Sequence, residues 1–180
     1  MALPVSDIYG PFYTQIAYGG YSPCIEGNNA HDLRPFDGSV LPNCVGYIVG
    51  RFNEALELDG CDWLGSVDAK YLIDLARTQG LKTGNRPVPG GVICWSSENE
   101  GHAAFIEAII SRTQVLTSES GWNYDAEPIV RAYYRNRQAG GWYYAEDYTY
   151  QGIIYPPGVS FPNDDYYIMF MQEGVLKYDY

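Results

Sequence analysis

The sequence has few basic residues, few histidines and no long apolar run. Its 180 residues include 11 Lys and Arg against 22 Asp and Glu, which gives a formal net charge of −11. This balance argues against nucleic-acid binding, because contacts with phosphates require an excess of basic side chains. No run of 18 apolar residues is present, so we expect no membrane span. The opening stretch "MALPVSDIYGPFYTQ" lacks a basic region and an apolar core, so we expect no secretory signal peptide and synthesis in the cytoplasm.

Cysteine and histidine are also scarce, and their spacing does not indicate a metal site. Two histidines, His31 and His102, are too few for a His-rich site. No two cysteines have the C-x-x-C spacing; they are Cys24, Cys44, Cys61 and Cys94. We therefore expect no metal and no cofactor, and free thiols rather than disulfides.

With 46% hydrophobic residues, the chain is long and apolar enough for one domain with a substantial core. The spacing of apolar residues predicts a first helix from about Cys44 to Leu58, with Asn43 as its N-cap. A second helix is predicted from about Ser66 to Thr78, with Ser66 as its cap and Gly80 as its stop signal. The predicted apolar faces consist of Val45, Ile48, Val49, Phe52 and Leu56 in the first helix and of Val67, Tyr71, Leu72 and Leu75 in the second.

Short β-rich stretches follow the helices. They cover residues 92–96, 101–110, 112–120, 128–137 and 150–157. Helices followed by strands predict an α+β fold, in which N-terminal helices pack on a twisted antiparallel β-sheet. A Pro-Pro-Gly break separates a main domain, residues 1–157, from residues 158–180, which we predict to form a hairpin or to begin a following segment.

Cys44 differs from the other cysteines in its position at the first turn of the predicted helix. Backbone N–H groups and the positive end of the helix dipole lie beside such a position, where they favour thiolate over thiol and stabilise an oxyanion. A buried apolar cysteine is the alternative, and burial is the usual state of this residue type. Position alone does not decide between the two.

A nucleophilic thiolate requires a base and a group that orients the base. His102 opens the predicted strand "GHAAFIE" after a glycine and a polar loop, which places it at a sheet edge. Glu119 and Asn123 follow near the end of the next strand, and either side chain can accept a hydrogen bond from an imidazole. The alternatives are a hydrogen-bonded strand histidine and a solvated glutamate without a catalytic role.

Four stretches of the chain resemble the successive motifs of the CHAP domain, the cysteine, histidine-dependent amidohydrolase/peptidase module of peptidoglycan hydrolases. They are "NCVGYIVGRFNE", "GGVICW", "GHAAFIEAI" and "SESGW". The closing "QGIIYPP" is similar to the last strand of this module in phage lysins, and the resemblance covers roughly residues 24–157. It implies a papain-like fold and a catalytic domain within residues 1–157. It also implies roles for three residues: Cys44 as nucleophile, His102 as base and Glu119 as orienting acid.

The sequence departs from the family pattern at one position and lacks an acidic run that some members have. Many CHAP domains have an asparagine two positions after the glutamate, where this chain has Gly121. Asn123 either takes over that role or only shapes the loop. Some phage members bind calcium in an acidic loop before the cysteine, but Asp32 and Asp37 do not form a dense acidic run, so we expect no metal there.

Aromatic residues flank the predicted catalytic groups. Trp95 and Trp122 lie next to the His and Glu motifs, and together with Asn123 they are predicted to line the substrate cleft. Core positions beneath the site are the alternative for both tryptophans. Tyrosine is concentrated towards the end of the chain, which suits a glycan-facing groove or, more simply, half-buried strands.

The resemblance implies a peptidoglycan hydrolase that cuts an amide bond. The bond is either the link between N-acetylmuramic acid and L-Ala (amidase) or a peptide bond of a stem or cross-bridge (endopeptidase). The resemblance further implies a phage or prophage lysin that acts on the cell wall after holin release or as a virion component. Its expected partners are bacterial peptidoglycan and either a larger phage assembly or a separate wall-binding module. The alternatives are a non-catalytic binding or structural module on a papain-like scaffold and a cysteine protease that acts on proteins.

Overall fold

The computed structural model describes residues 25–26, 34–35, 43–56, 63–65, 67–121 and 130–161. Within these residues, two α-helices precede the strands of the large sheet: α1 (Cys44–Ala55) and α2 (Leu72–Thr78). A 3-10 turn (Ala69–Tyr71) leads into α2. No helix in the described part of the chain has the length and apolar character needed to cross a membrane. Residues 162–180, most of the predicted C-terminal extension, lie outside the described residues.

The strands pair in antiparallel fashion throughout the described residues. The large sheet contains β3 (Thr83–Gly84), β4 (Val92–Ser96), β5 (Gly101–Ser111), β6 (Gln114–Ser120), β7 (Val130–Gln138), β8 (Gly141–Trp142) and β9 (Thr149–Ile154). Their spatial order is β3-β9-β4-β5-β6-β7-β8. Two short strands, β1 (Ile25–Glu26) and β2 (Arg34–Pro35), pair separately. The result is a curled antiparallel sheet with few helices, compatible with the predicted α+β class.

The predicted strands recur with shifted ends. β6 begins at Gln114, two residues later than predicted, because Arg112 and Thr113 form the turn from β5. β9 ends at Ile154, before Pro156, which has no N–H group for a sheet ladder. β3 and β8 were not predicted, since two residues are too few to show an alternating pattern.

Asn43 is the N-cap of α1, as predicted. Its side-chain oxygen accepts a hydrogen bond of 2.6 Å from the Gly46 N–H, which satisfies one of the free donors at the start of the helix. Most of the predicted apolar face is buried, and the helix packs on β5 and β6. The first residue of α1 is Cys44, which therefore lies at the end of a helix anchored on the central strands.

The prediction for the second helix was wrong at its start. Residues 69–71 form the 3-10 turn, and Asp68 caps it by accepting a 3.1 Å hydrogen bond from the Lys70 N–H. α2 therefore begins at Leu72, and Ser66 lies outside the described residues. Tyr71, placed on the apolar face by its spacing, is 55% exposed because the tighter 3-10 turn rotates it away from the core. The helix ends as predicted before Gly80, which has a φ of +85°.

The two faces of the sheet carry different apolar clusters. The face under α1 contributes Val92, Cys94, Ala103, Phe105 and Leu116. The opposite face contributes Ile93, Trp95, Ala104 and Ile106, which pack with Trp142 of β8. Neighbouring residues along β4 and β5 thus alternate between the clusters, as the pleat of a strand requires.

A buried polar network joins α1 to the sheet inside the first cluster. Arg51 donates two hydrogen bonds to the carboxylate of Glu107 on β5, at 3.3 and 3.1 Å. Ser118 of β6 donates to the same carboxylate at 2.6 Å, and the Tyr47 hydroxyl lies 2.8 Å from the Ser118 hydroxyl. Both charged side chains are almost fully buried. The network fixes the position of α1 along the surface of the sheet as well as its distance from the sheet, because hydrogen bonds are directional whereas apolar contacts are not.

Candidate active site

Cys44 lies at the N-terminus of α1 with its side chain partly accessible. The first N–H groups of an α-helix have no acceptor within the helix, and they give this end a partial positive charge. The same N–H groups are donors for an anion formed next to the sulfur.

His102 is the second residue of β5, opposite Trp95 on β4. The glycine before it is required by packing: a Cβ atom at Gly101 would lie 2.1 Å from the backbone nitrogen of Lys70. Only a residue without a side chain allows the strand to begin this close to the 3-10 turn before α2. In the "GH" pair of the sequence, the glycine therefore allows β5 to pass close to the backbone of Lys70, and this close contact positions the histidine that follows.

The structure brings together the three residues predicted as catalytic. The Nε2 atom of His102 is hydrogen-bonded to Oε2 of Glu119, near the end of β6. The Cys44 side chain approaches the imidazole closely enough to raise its pKa. Burial lowers the pKa of His102, but the hydrogen bonds to Cys44 and Glu119 and the charges of both groups outweigh burial and raise it to about 9. The ring is therefore an imidazolium at neutral pH.

These three residues lie within a segment that matches a known family. Residues 35–121 match the family model of the CHAP domain. This segment of the chain is similar to CHAP domains. Domains of this family are generally hydrolytic amidase or peptidase domains. No curated protein matches the chain.

Two further side chains reach the site from beyond the matched CHAP segment. Arg135 of β7 donates from Nη2 to Oε1 of Glu119. Tyr144, between β8 and β9, stacks on His102 with 4.2 Å between the ring centroids and 13° between the planes. Burial and the charge of Glu119 raise the pKa of Tyr144 to about 12, so its hydroxyl stays protonated. Sequence reasoning missed both as site residues, because neither lies near a motif and only the sheet order brings them to His102.

Trp95 is fully buried and does not line a cleft. It is part of the apolar cluster below the site, its indole N–H donates to the backbone oxygen of Trp142, and its ring stacks with that of His102 at 6.0 Å. Of the two alternatives for this residue, the core position is the one observed. Trp122 and Asn123, the other predicted substrate-binding residues, lie outside the described residues.

Cys94 illustrates the opposite environment for a thiol. It lies on β4 among the apolar residues under α1, and burial, with the charge of Cys44, raises the pKa of Cys94 far above its usual range. It is therefore a neutral core residue, whereas Cys44 is accessible and faces an imidazolium. Within the described residues, no group of three or more His, Cys, Asp or Glu side chains has the geometry of a metal site. Asp32, Asp37 and His31 lie outside those residues.

Proposed function

We propose that this chain is a cysteine-dependent peptidoglycan hydrolase that cleaves an amide bond of the bacterial cell wall. The observation that carries the proposal is the placement of His102 beside Cys44 and in a hydrogen bond with Glu119, inside a segment that matches the CHAP domain. We assign Cys44 as the nucleophile, His102 as the general base and acid, and Glu119 as the residue that orients the imidazole. A cysteine at a helix N-terminus beside a strand histidine is also the papain-like arrangement, which we include in the proposal.

In the proposed reaction, the Cys44 thiolate attacks the carbonyl carbon of the scissile amide. The oxygen becomes an oxyanion, which the Cys44 N–H stabilises. The tetrahedral intermediate collapses when the imidazolium of His102 donates its proton to the leaving nitrogen, which leaves as an amine, and the acyl group remains on sulfur as a thioester. Neutral His102 then takes a proton from water, hydroxide adds to the thioester, and the carboxylic acid and the thiolate are released. Glu119 remains ionised and keeps Nε2 occupied in each step.

The scissile bond is either the link between N-acetylmuramic acid and L-Ala or a peptide bond of a stem or cross-bridge. We further propose a phage or prophage lysin that reaches the wall after holin release or as part of a virion. This part of the proposal is supported by the similarity of the sequence motifs to phage lysins. A net charge of −11 gives the chain little electrostatic attraction to an anionic wall, which favours delivery by a larger assembly or a wall-binding module.

Mass spectrometry of purified peptidoglycan after digestion tests the proposal and identifies the bond. New muropeptides with free N-acetylmuramic acid lactyl groups indicate an amidase, and new peptide termini indicate an endopeptidase. The matched control is Cys44→Ala, which should give no new products. If the wild-type protein releases nothing from the wall, or if the alanine variant releases the same products, the proposal is wrong. Cleavage of casein but not of peptidoglycan would instead indicate a protease that acts on proteins.

A further inference from the structure

Glu119 is held at both of its carboxylate oxygens by different side chains. Oε2 is bonded to His102 Nε2, and Oε1 accepts a hydrogen bond from Arg135 Nη2. The carboxylate is 1% exposed and the arginine side chain 12% exposed. With one oxygen fixed by the guanidinium, the carboxylate cannot rotate away from the imidazole without breaking a charge-assisted hydrogen bond in a buried site.

Arg135 is itself fixed by aromatic rings. Its guanidinium carbon lies 4.8 Å from the ring centroids of Tyr133 and Tyr144 and 5.6 Å from that of Trp95. These distances are typical of cation–π contacts, and a planar guanidinium suits stacking and hydrogen bonding at once. The Tyr144 ring that contacts Arg135 also stacks on His102. The guanidinium and the imidazole are thus connected twice, through Glu119 and through Tyr144.

The contacts of Arg135 do not extend into a wider polar network among the described residues. Its Nε atom is buried without a hydrogen-bond partner there. An unpaired buried donor is costly and is uncommon in a side chain that serves stability alone. The free-energy cost of burying this arginine is offset chiefly by its hydrogen bond to Glu119, which indicates a role in the site.

We propose that Arg135 is a positioning residue of the active site, which fixes the Glu119 carboxylate so that it orients and stabilises the His102 imidazolium. The expected effect of Arg135 on catalysis rests on the proposed function. Its expected effect on the pKa of His102 does not. The groups that face His102 are Cys44 from α1, Glu119 from β6 and Tyr144 from the β8–β9 connection.

Loss of Arg135 has two opposite effects on His102. Removal of a cation favours the imidazolium, whereas a less ordered Glu119 hydrogen bond disfavours it. We expect the second effect to be larger, because Glu119 contacts the ring directly and Arg135 acts behind it. Misplacement of a catalytic group by an ångström costs roughly 10²-fold in rate. Arg135→Met should therefore lower kcat by about that factor and move the alkaline limit of activity to lower pH.

The test is an NMR titration of His102, which needs no substrate, alongside kinetics. A His31→Gln variant assigns the two histidine signals. The His102 midpoint should fall in Arg135→Met, whereas Arg137→Met, which removes an exposed arginine from the same strand, should leave it unchanged. In a Glu119→Gln background, Arg135→Met should no longer lower the midpoint, because the lowering acts through Glu119 and only the opposite effect of removing a cation remains. If Arg135→Met does not fold, the same cycle with Arg135→Lys replaces it, and the midpoint must still fall.

An unchanged His102 midpoint in the folded variant, or an equal additional effect in the Glu119→Gln background, would overturn the proposal even if activity falls. A lowered midpoint in a protein that does not degrade peptidoglycan would leave the positioning role intact and refute the proposed function.

Discussion

Glu119→Gln offers the most quantitative test of the site, because the pKa of His102 depends directly on this carboxylate. The rise of that pKa from 6.5 to about 9 corresponds to about 3 kcal/mol in favour of the imidazolium. Burial opposes the rise, so Cys44 and Glu119 together must contribute more than this amount. The Glu119 carboxylate is a direct hydrogen-bond partner of the ring, so its share is on the order of one pH unit. His102 is buried, so little of this energy is lost to screening by solvent.

The sign of the effect follows from the proposed chemistry. The imidazolium is the proton donor to the leaving amine, so wild-type activity should fall as the pH rises through about 9. In Glu119→Gln, the decline of kcat/KM should begin about one pH unit lower. Ionisation alone then lowers the rate at pH 9 roughly fivefold relative to wild type.

The assay is release of soluble muropeptides between pH 6 and 10, with thermal unfolding measured at each pH. Glu98→Gln is the matched control, since it removes the same charge from an exposed loop residue that precedes His102 in the chain. An alkaline limit in Glu119→Gln that coincides with that of wild type would refute the assignment of Glu119 as the partner that maintains the imidazolium.

Three further outcomes are expected. Cys44→Ala should abolish lysis without lowering Tm, and lysis by this variant at the wild-type rate would contradict the mechanism. Cys94→Ser should retain lysis but lose roughly 1–3 kcal/mol of stability in thermal unfolding, because a hydroxyl enters an apolar cluster. Gly101→Ala should lower both Tm and lytic rate, because its Cβ meets the Lys70 backbone at 2.1 Å, while Gly140→Ala, with nothing within 4 Å, should change neither. Lysis should hold or improve from low to moderate salt, since screening weakens the repulsion between a chain of net charge −11 and anionic wall polymers; a steep fall with added salt would show that a local basic patch dominates.

The sequence predicted features whose causes are local. Asn43 as a helix cap depends on residues within one turn, and the alternation along β4 and β5 depends on the pleat of each strand. Cys44, His102 and Glu119 were identified because each lies in a short motif, and the structure brings all three together. Their catalytic roles remain predictions.

The features that sequence reasoning did not predict depend on the order of strands in the sheet. Arg135 reaches Glu119 only because β7 lies beside β6, and Tyr144 reaches His102 only through the connection after β8. The burial of Trp95 depends on Trp142, which is 47 residues away in the chain. The late start of α2 has a local cause, the Asp68 cap. The sequence did not show it, because the apolar residues of a 3-10 turn and of a first α-helical turn have similar spacing.

The ion pair between Arg51 and Glu107 limits the routes by which this sequence can change. A single replacement at either position removes one half of a buried ion pair, which costs about 3–5 kcal/mol, a large share of the stability of a typical domain. Simultaneous replacement of both by well-packed apolar residues is often neutral or stabilising. Any stepwise route from the ion pair to an apolar pair therefore passes through an unstable single mutant. Stepwise mutation should preserve the ion pair. A library designed to improve this domain would reach the alternative only by varying both codons together.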